Sequence, residues 1–223
     1  MQLIIGTSAV VLGSLALAAS SRAEVVVYQN VNPDYELFQP VGPTEEIGDD
    51  VTLAPGTGRF ITGFSVPITN SYANAFAGTF TARFYTPDAD GLPGTQIWQS
   101  TLVIPTAQPS ADLTLTFAAP NVTVPDQFLW TLTATTVPGA ASGDESIGTT
   151  INNVPQIGSS EDFFVLNSHD GSGWGAFNYD DGGVTLANFQ ATITAGAAPE
   201  PATFSTLGLV AAAGLIRRRR HIV

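Results

Sequence analysis

Asp88-Ala89-Asp90-Gly91 sets two carboxylates on alternate residues ahead of a glycine, the opening pattern of a calcium-binding loop. A calcium ion wants about six to eight oxygens, and Pro93-Gly94-Thr95-Gln96 follows where an EF-hand would need its glutamate. Asp88 and Asp90 would therefore need support from Asp49, Asp50, Glu161, Asp162, Asp170, Asp180 or Asp181. The same residues suit a solvated hairpin turn, since Asp and Gly are ordinary turn formers. No cofactor is expected apart from calcium, and Asp88 and Asp90 are its candidate ligands.

Catalytic chemistry has less to work with. His169 is the one histidine ahead of the C-terminal tail, in Asn167-Ser168-His169-Asp170-Gly171. Adjacent Ser, His and Asp side chains point apart, so this run makes no triad, and no G-x-S-x-G elbow is present. Carboxylates that could hydrolyse glycosides are plentiful but mark out no pair. The sequence predicts a protein that is not an enzyme, with a hydrolase the weakest alternative. Sugar binding, by contrast, needs aromatic faces beside polar groups. Trp130 alternates within an apolar strand and belongs to the core, while Trp98 could face either way. Trp174 lies in Gly171-Ser172-Gly173-Trp174-Gly175, a loop-like run close to Tyr179, Asp180 and Asp181. Trp174 and Tyr179 are the candidate ligand-binding pair, although a loop tryptophan also suits plugging the end of a domain.

The elements that would position these residues are strands. Leu113, Leu115 and Phe117 alternate with threonines, as do Phe128, Trp130, Leu132 and Ala134, and Phe189, Ala191 and Ile193. This period of two, with one apolar face, is that of a half-buried sheet. Thr79–Tyr85 continues the pattern. Further strands are expected at Val25–Asn30, Asp50–Leu53, Phe60–Ile68, Thr95–Ile104, Val122–Val124, Phe163–Asn167 and Ala176–Tyr179. Val137 to Ser146 reads as an exposed loop, and Ala195 to Ala198 as a linker. About ten short strands with no fixed-period repeat predict an all-β fold, a two-sheet antiparallel β-sandwich of jelly-roll type, over residues 24–196.

Composition narrows the function classes. Between Glu24 and Ala198 there are eighteen acidic residues against Arg59 and Arg83, a formal charge near −16, and the chain has no lysine. That field excludes nucleic acid and anionic membrane surfaces as partners. Absence of cysteine removes disulfides, thiolate metal sites and cysteine nucleophiles.

Both ends read as targeting segments. Residues 1–23 have an apolar stretch followed by Ser21-Arg22-Ala23, a signal peptide cut by signal peptidase between Ala23 and Glu24. No Lys or Arg precedes the apolar stretch, a departure from the usual form. The tail, residues 197–223, carries Pro199-Glu200-Pro201, then an apolar helix over 202–216, then Arg217, Arg218, Arg219 and Arg220. Fifteen helical residues rise about 22 Å, short of the ~30 Å hydrocarbon core, a gap that snorkelling arginines and local thinning can close. The arginines belong on the cytoplasmic side, with everything before Pro199 outside.

This three-part tail resembles the sorting signal of PEP-CTERM proteins, Pro199, Glu200 and Pro201 being the namesake motif. The resemblance implies a bacterial chain held transiently in the inner membrane by its transmembrane helix, processed by exosortase, and released to the cell surface or extracellular polysaccharide. Gly48-Asp49-Asp50-Val51-Thr52-Leu53, Ile61-Thr62-Gly63-Phe64, Arg83-Phe84-Tyr85 and Pro93-Gly94-Thr95 also resemble, in order, a β-sandwich domain carried by many such proteins. The expectation is an exported, non-enzymatic surface or matrix protein. The alternative is a carbohydrate-binding module with or without calcium.

Overall fold

The computed structural model describes residues 24–31, 37–42, 45–70, 76–108, 112–136, 147–152, 154–168, 170–179 and 186–196. In chain order the strands are β1 (Val25–Asn30), β2 (Leu37–Pro40), β3 (Glu46–Thr52), β4 (Phe60–Asn70), β5 (Phe76–Pro87), β6 (Pro93–Gln108) and β7 (Asp112–Thr116). They continue with β8 (Val122–Thr123), β9 (Gln127–Thr136), β10 (Ile147–Asn152), β11 (Phe164–Asn167), β12 (Trp174–Phe177), β13 (Asn188–Phe189) and β14 (Ala191–Gly196). No helix occurs among the described residues, so none there is long and apolar enough to cross a membrane.

The strands build two antiparallel sheets. One runs β1-β14-β4-β10-β13, with β2 paired to β10 and with β7 and β8 paired to β4. The other runs β12-β11-β3-β9-β5-β6. Alternation decides what each sheet buries. In the six-stranded sheet Ile47, Val51, Phe128, Trp130, Leu132, Ala82 and Phe84 face inward, and Ile61, Phe64, Val66, Ile68, Phe189 and Ile193 meet them from the other sheet in one apolar cluster. Phe64 is the hub. Its ring lies 5.0 Å from Phe84, 5.6 Å from Trp130, 5.7 Å from Phe117 and 6.1 Å from Trp98. Such aromatic pairs add to area burial, so the hub ties both sheets together.

A second tie is made of backbone. Residues 154–163 run past the β1 edge of one sheet and the end of β3 in the other: Gln29 N–H donates to Ile157 O at 2.9 Å, and Thr52 N–H to Ser159 O at 2.7 Å. Ala54 N–H donates across to Val27 O at 2.9 Å.

The structure departs from the sequence expectation in four places. Strand β3 starts at Glu46 rather than Asp50. Strand β12 starts at Trp174 rather than Ala176. Strands β2 and β10 fall where no strand is expected. Ala195 and Gly196 do not belong to a linker: they end β14, paired with Ile61 and Phe60. Residues 1–23 including Ala23, the loop 137–146, His169, Asp180, Asp181 and the tail with Pro199, Glu200, Pro201 and Arg217 to Arg220 lie outside the described residues; Glu24 is the first described.

Candidate binding face

The side of the six-stranded sheet turned away from the core sets polar side chains around buried Val165 and Leu129. Register fixes its membership: Ala176, Val165, Gly48, Thr131, Arg83 and Gln99 lie opposite one another across all six strands. Two residues along, Trp174, Asn167 and Glu46 form a neighbouring row, and Asp50, Leu129 and Tyr85 another. Successive residues alternate faces, so all of these share one face, opposite to Trp130 and Phe84.

Glu46 and Arg83 anchor this face. Arg83 Nη1 lies 2.9 Å from Glu46 Oε2. Thr131 Oγ1 donates to Glu46 Oε1, and Tyr85 Oη approaches the same oxygen at 3.4 Å. Arg83 also donates from Nε to Gln99 Oε1 at 3.0 Å and from Nη1 to Thr133 Oγ1 at 3.2 Å. Burial, and then the charge of Glu46, push the Tyr85 phenol up to about 12.

The rings of Trp174 and Tyr85 meet edge to face at 5.9 Å. Their strands, β12 and β5, stand four intervals apart in the sheet, which at about 4.8 Å each would be roughly 19 Å if the sheet were flat. Two long side chains leaning together across β11, β3 and β9 close that span only if the sheet curls towards this face. The face is therefore concave, with Trp174 and Tyr85 arching over its floor. That explains why Glu46, Gly48 and Thr131 are buried although they point away from the core. Glycine is required at 48: a Cβ there would collide with Trp130 O and with Thr131, whose own Cα would lie 2.8 Å away.

The ligand candidates from the sequence separate. Trp174, expected in a loop, is the first residue of a strand on the concave face. Tyr179 packs on the core side instead, its ring 6.0 Å from Phe164, which itself lies 5.4 Å from Phe189. Trp98 packs inward, 4.5 Å from Phe84. The sequence reading missed Tyr85 as the ring partner of Trp174 and missed Glu46, Arg83 and Gln99 as residues of the same face. Their signal was the alternation of Arg83 and Tyr85 with the apolar Ala82 and Phe84.

Asp88 and Asp90 sit in the turn joining β5 to β6. Asp88 Oδ1 accepts the N–H groups of Asp90 and Leu92, each at 2.9 Å, and Asp88 N–H donates to Leu92 O. Gly91 supplies the left-handed residue of the turn, at φ +79°. One Asp88 oxygen is thus engaged by the turn itself. Asp170 does similar work, its carboxylate held below the usual range by the Ser172 hydroxyl and N–H. Among the described residues no three His, Cys, Asp or Glu side chains gather into a metal-holding group. Set against known protein families, characterised proteins and solved structures, the chain matches none at a significant level.

Proposed function

We propose that this chain is an exported, non-enzymatic protein of a bacterial cell surface or extracellular matrix. Its two sheets would stack as a jelly-roll-like sandwich, delivered by a signal peptide and a PEP-CTERM-type tail acting as substrate for exosortase. The observation that carries the reading is the order of parts at the tail: Pro199-Glu200-Pro201, an uncharged run, then four arginines. Intact mass of the protein from its native host, with terminal peptides sequenced, tests it. A chain from near Glu24 to near Pro199 supports both processing steps. A chain still ending at Val223 makes the tail a permanent anchor and removes the exosortase reading.

The concave face favours carbohydrate binding as the second reading. A tryptophan arched beside a tyrosine, over a partly buried Arg–Glu pair and glutamine and threonine side chains, offers a stacking surface with fixed polar groups around it. The acidic domain would suit neutral or basic polysaccharide rather than polyanionic glycans. Retention on immobilised polysaccharide from the host matrix, lost in Trp174→Ala and kept in Trp98→Phe, supports this reading. Equal retention of both variants, or none by the wild type, removes it.

A further inference from the structure

The other notable constellation lies at the junction of the two sheets, where β3, β1, β13 and the 154–163 segment meet. Asp49 and Asp50 are both buried there, next to each other on β3. Asp49 Oδ2 accepts the Phe189 N–H at 2.7 Å, from the opposite sheet. Ser160 Oγ stands 3.0 Å from Asp49 Oδ1 and 3.3 Å from Asp50 Oδ1, and Glu161 N–H donates to Asp50 Oδ1 at 3.0 Å. The second oxygen of Asp50 is buried with no hydrogen-bond partner.

Neutralising charge is missing from this junction. The chain has no lysine, and the two arginines of the described region are held elsewhere, Arg59 by Asp126 and Arg83 by Glu46. Something must balance the pair: protons or a cation. Donors already face three of the four carboxylate oxygens, an arrangement that suits ionised groups. Ser160 has one hydrogen for two of these oxygens, so one of them meets a lone pair unless a carboxyl proton or a cation lies between.

A second, independent group points to the same place. Tyr28 Oη is fully buried and makes no hydrogen bond of full geometry, the Asn30 and Ser160 side chains being the polar groups that approach it. It lies beside Ser160 and Asn30, and both aspartates act on it electrostatically. A phenol oxygen left in a core without a well-formed hydrogen bond is costly, so its retention needs a reason.

We propose that Asp49, Asp50, Ser160 and Tyr28 form a calcium site that clamps the two sheets together. The donors are all oxygens, two of them carboxylates, which suits a hard cation and not a transition metal. Ligands bound at about 2.3–2.6 Å around one ion stand roughly 3 to 3.5 Å apart, as Ser160 Oγ does from each aspartate. Calcium held there draws together β3, Tyr28 of β1 and the 154–163 segment, so its effect is on the joining of the sheets. The site is distinct from the Asp88–Asp90 turn and borders the concave face, on which Asp50 forms the end of a row.

Full-length protein, stripped with EGTA and titrated with calcium chloride at neutral pH, provides the test by calorimetry and thermal melting. One ion is expected to bind, with a Kd between about a micromolar and a millimolar, and Tm is expected to climb with calcium concentration. Asp50→Asn should weaken binding by about tenfold or more, and Tyr28→Phe by severalfold, since it removes one oxygen and keeps the packed ring. Asp88→Ala/Asp90→Ala should bind as the wild type does. Should Asp50→Asn fail to fold, Tyr28→Phe decides alone. No calcium-linked rise in Tm between pH 5 and 8 overturns the proposal and leaves protons as the balancing species. Binding that survives in both Asp50→Asn and Tyr28→Phe overturns it too, as does binding lost only in the Asp88/Asp90 variant.

Discussion

Replacing Arg83 with methionine keeps the unbranched stem and removes the guanidinium that Glu46 leans on. The Glu46 side chain is 7% exposed and that of Arg83 22%, with 2.9 Å between the charged atoms. Two unit charges about 4 Å apart attract by roughly 4 kcal/mol at an effective dielectric of about 20. Discounting for the partly wet arginine leaves a coupling of about 2–3 kcal/mol. Glu46 in Arg83→Met would keep Thr131 as a donor yet lose its counter-charge, so the single variant should lose about 3 kcal/mol. In a domain of this size that lowers Tm by roughly 6–12 °C. Glu46→Gln should cost less, and the double variant should cost less than the two singles together. Urea denaturation of all four proteins at pH 7 and low salt closes the cycle. A coupling below about 0.5 kcal/mol would refute the view that this pair holds the floor of the concave face.

Three further outcomes follow from described geometry. Phe64→Ala empties the centre of an aromatic hub and should cost about 3–5 kcal/mol in urea denaturation, whereas Val103→Ala, at an exposed site, should stay within about 0.5 kcal/mol. Tyr85 has its folded pKa raised to about 12 against about 10 when unfolded. Its neutral form is therefore favoured by folding: the contribution is full below about pH 10 and is lost as pH climbs to about 12. Burial raises Tyr28 and Tyr179 as well, so absorbance titration of tyrosinate should show Tyr85→Phe losing one of several late-titrating groups, and that variant should hold its stability further along the alkaline limb. Gly91→Ala meets open space but must keep φ near +79°, so melting should report a loss of about 1–2 kcal/mol from backbone strain alone.

Where side chains alternate cleanly, the fold was legible from residue order. The runs around Phe84, Leu115, Trp130 and Ile193 announce strands because each offers one apolar face. Strand β3 hides its beginning: Glu46, Gly48, Asp49 and Asp50 are residues that open strands usually exclude, and here the concave floor and the sheet junction take them in. Strand β2 contains a proline and β10 a glycine beside polar residues, and tertiary pairing overrides both. The site was harder to read for a different reason. Trp174 and Tyr85 are 89 positions apart in sequence, and only the order β12-β11-β3-β9-β5 and the curl of that sheet bring their rings together. Taken locally, Asp49 looks like a turn residue and Asp50 like the first residue of a strand; their burial depends on Ser160 and Phe189, each more than a hundred positions away.

The pairing of β1 with β14 has a consequence for how the molecule is made and held. Val25 lies opposite Ala195, and the first and last strands run antiparallel side by side, so chain enters and leaves the domain at the same pole. A load applied between those two ends would peel one strand from its neighbour, bond by bond, instead of shearing the whole ladder at once. The last strand is also the keystone, seated between β1 and β4. A sheet closed by its final segment cannot be completed until that segment is free to enter, and its contacts span nearly the full length of the domain. Folding should therefore be late and slow relative to chain emergence, with β1 exposed as an unpaired edge until β14 arrives.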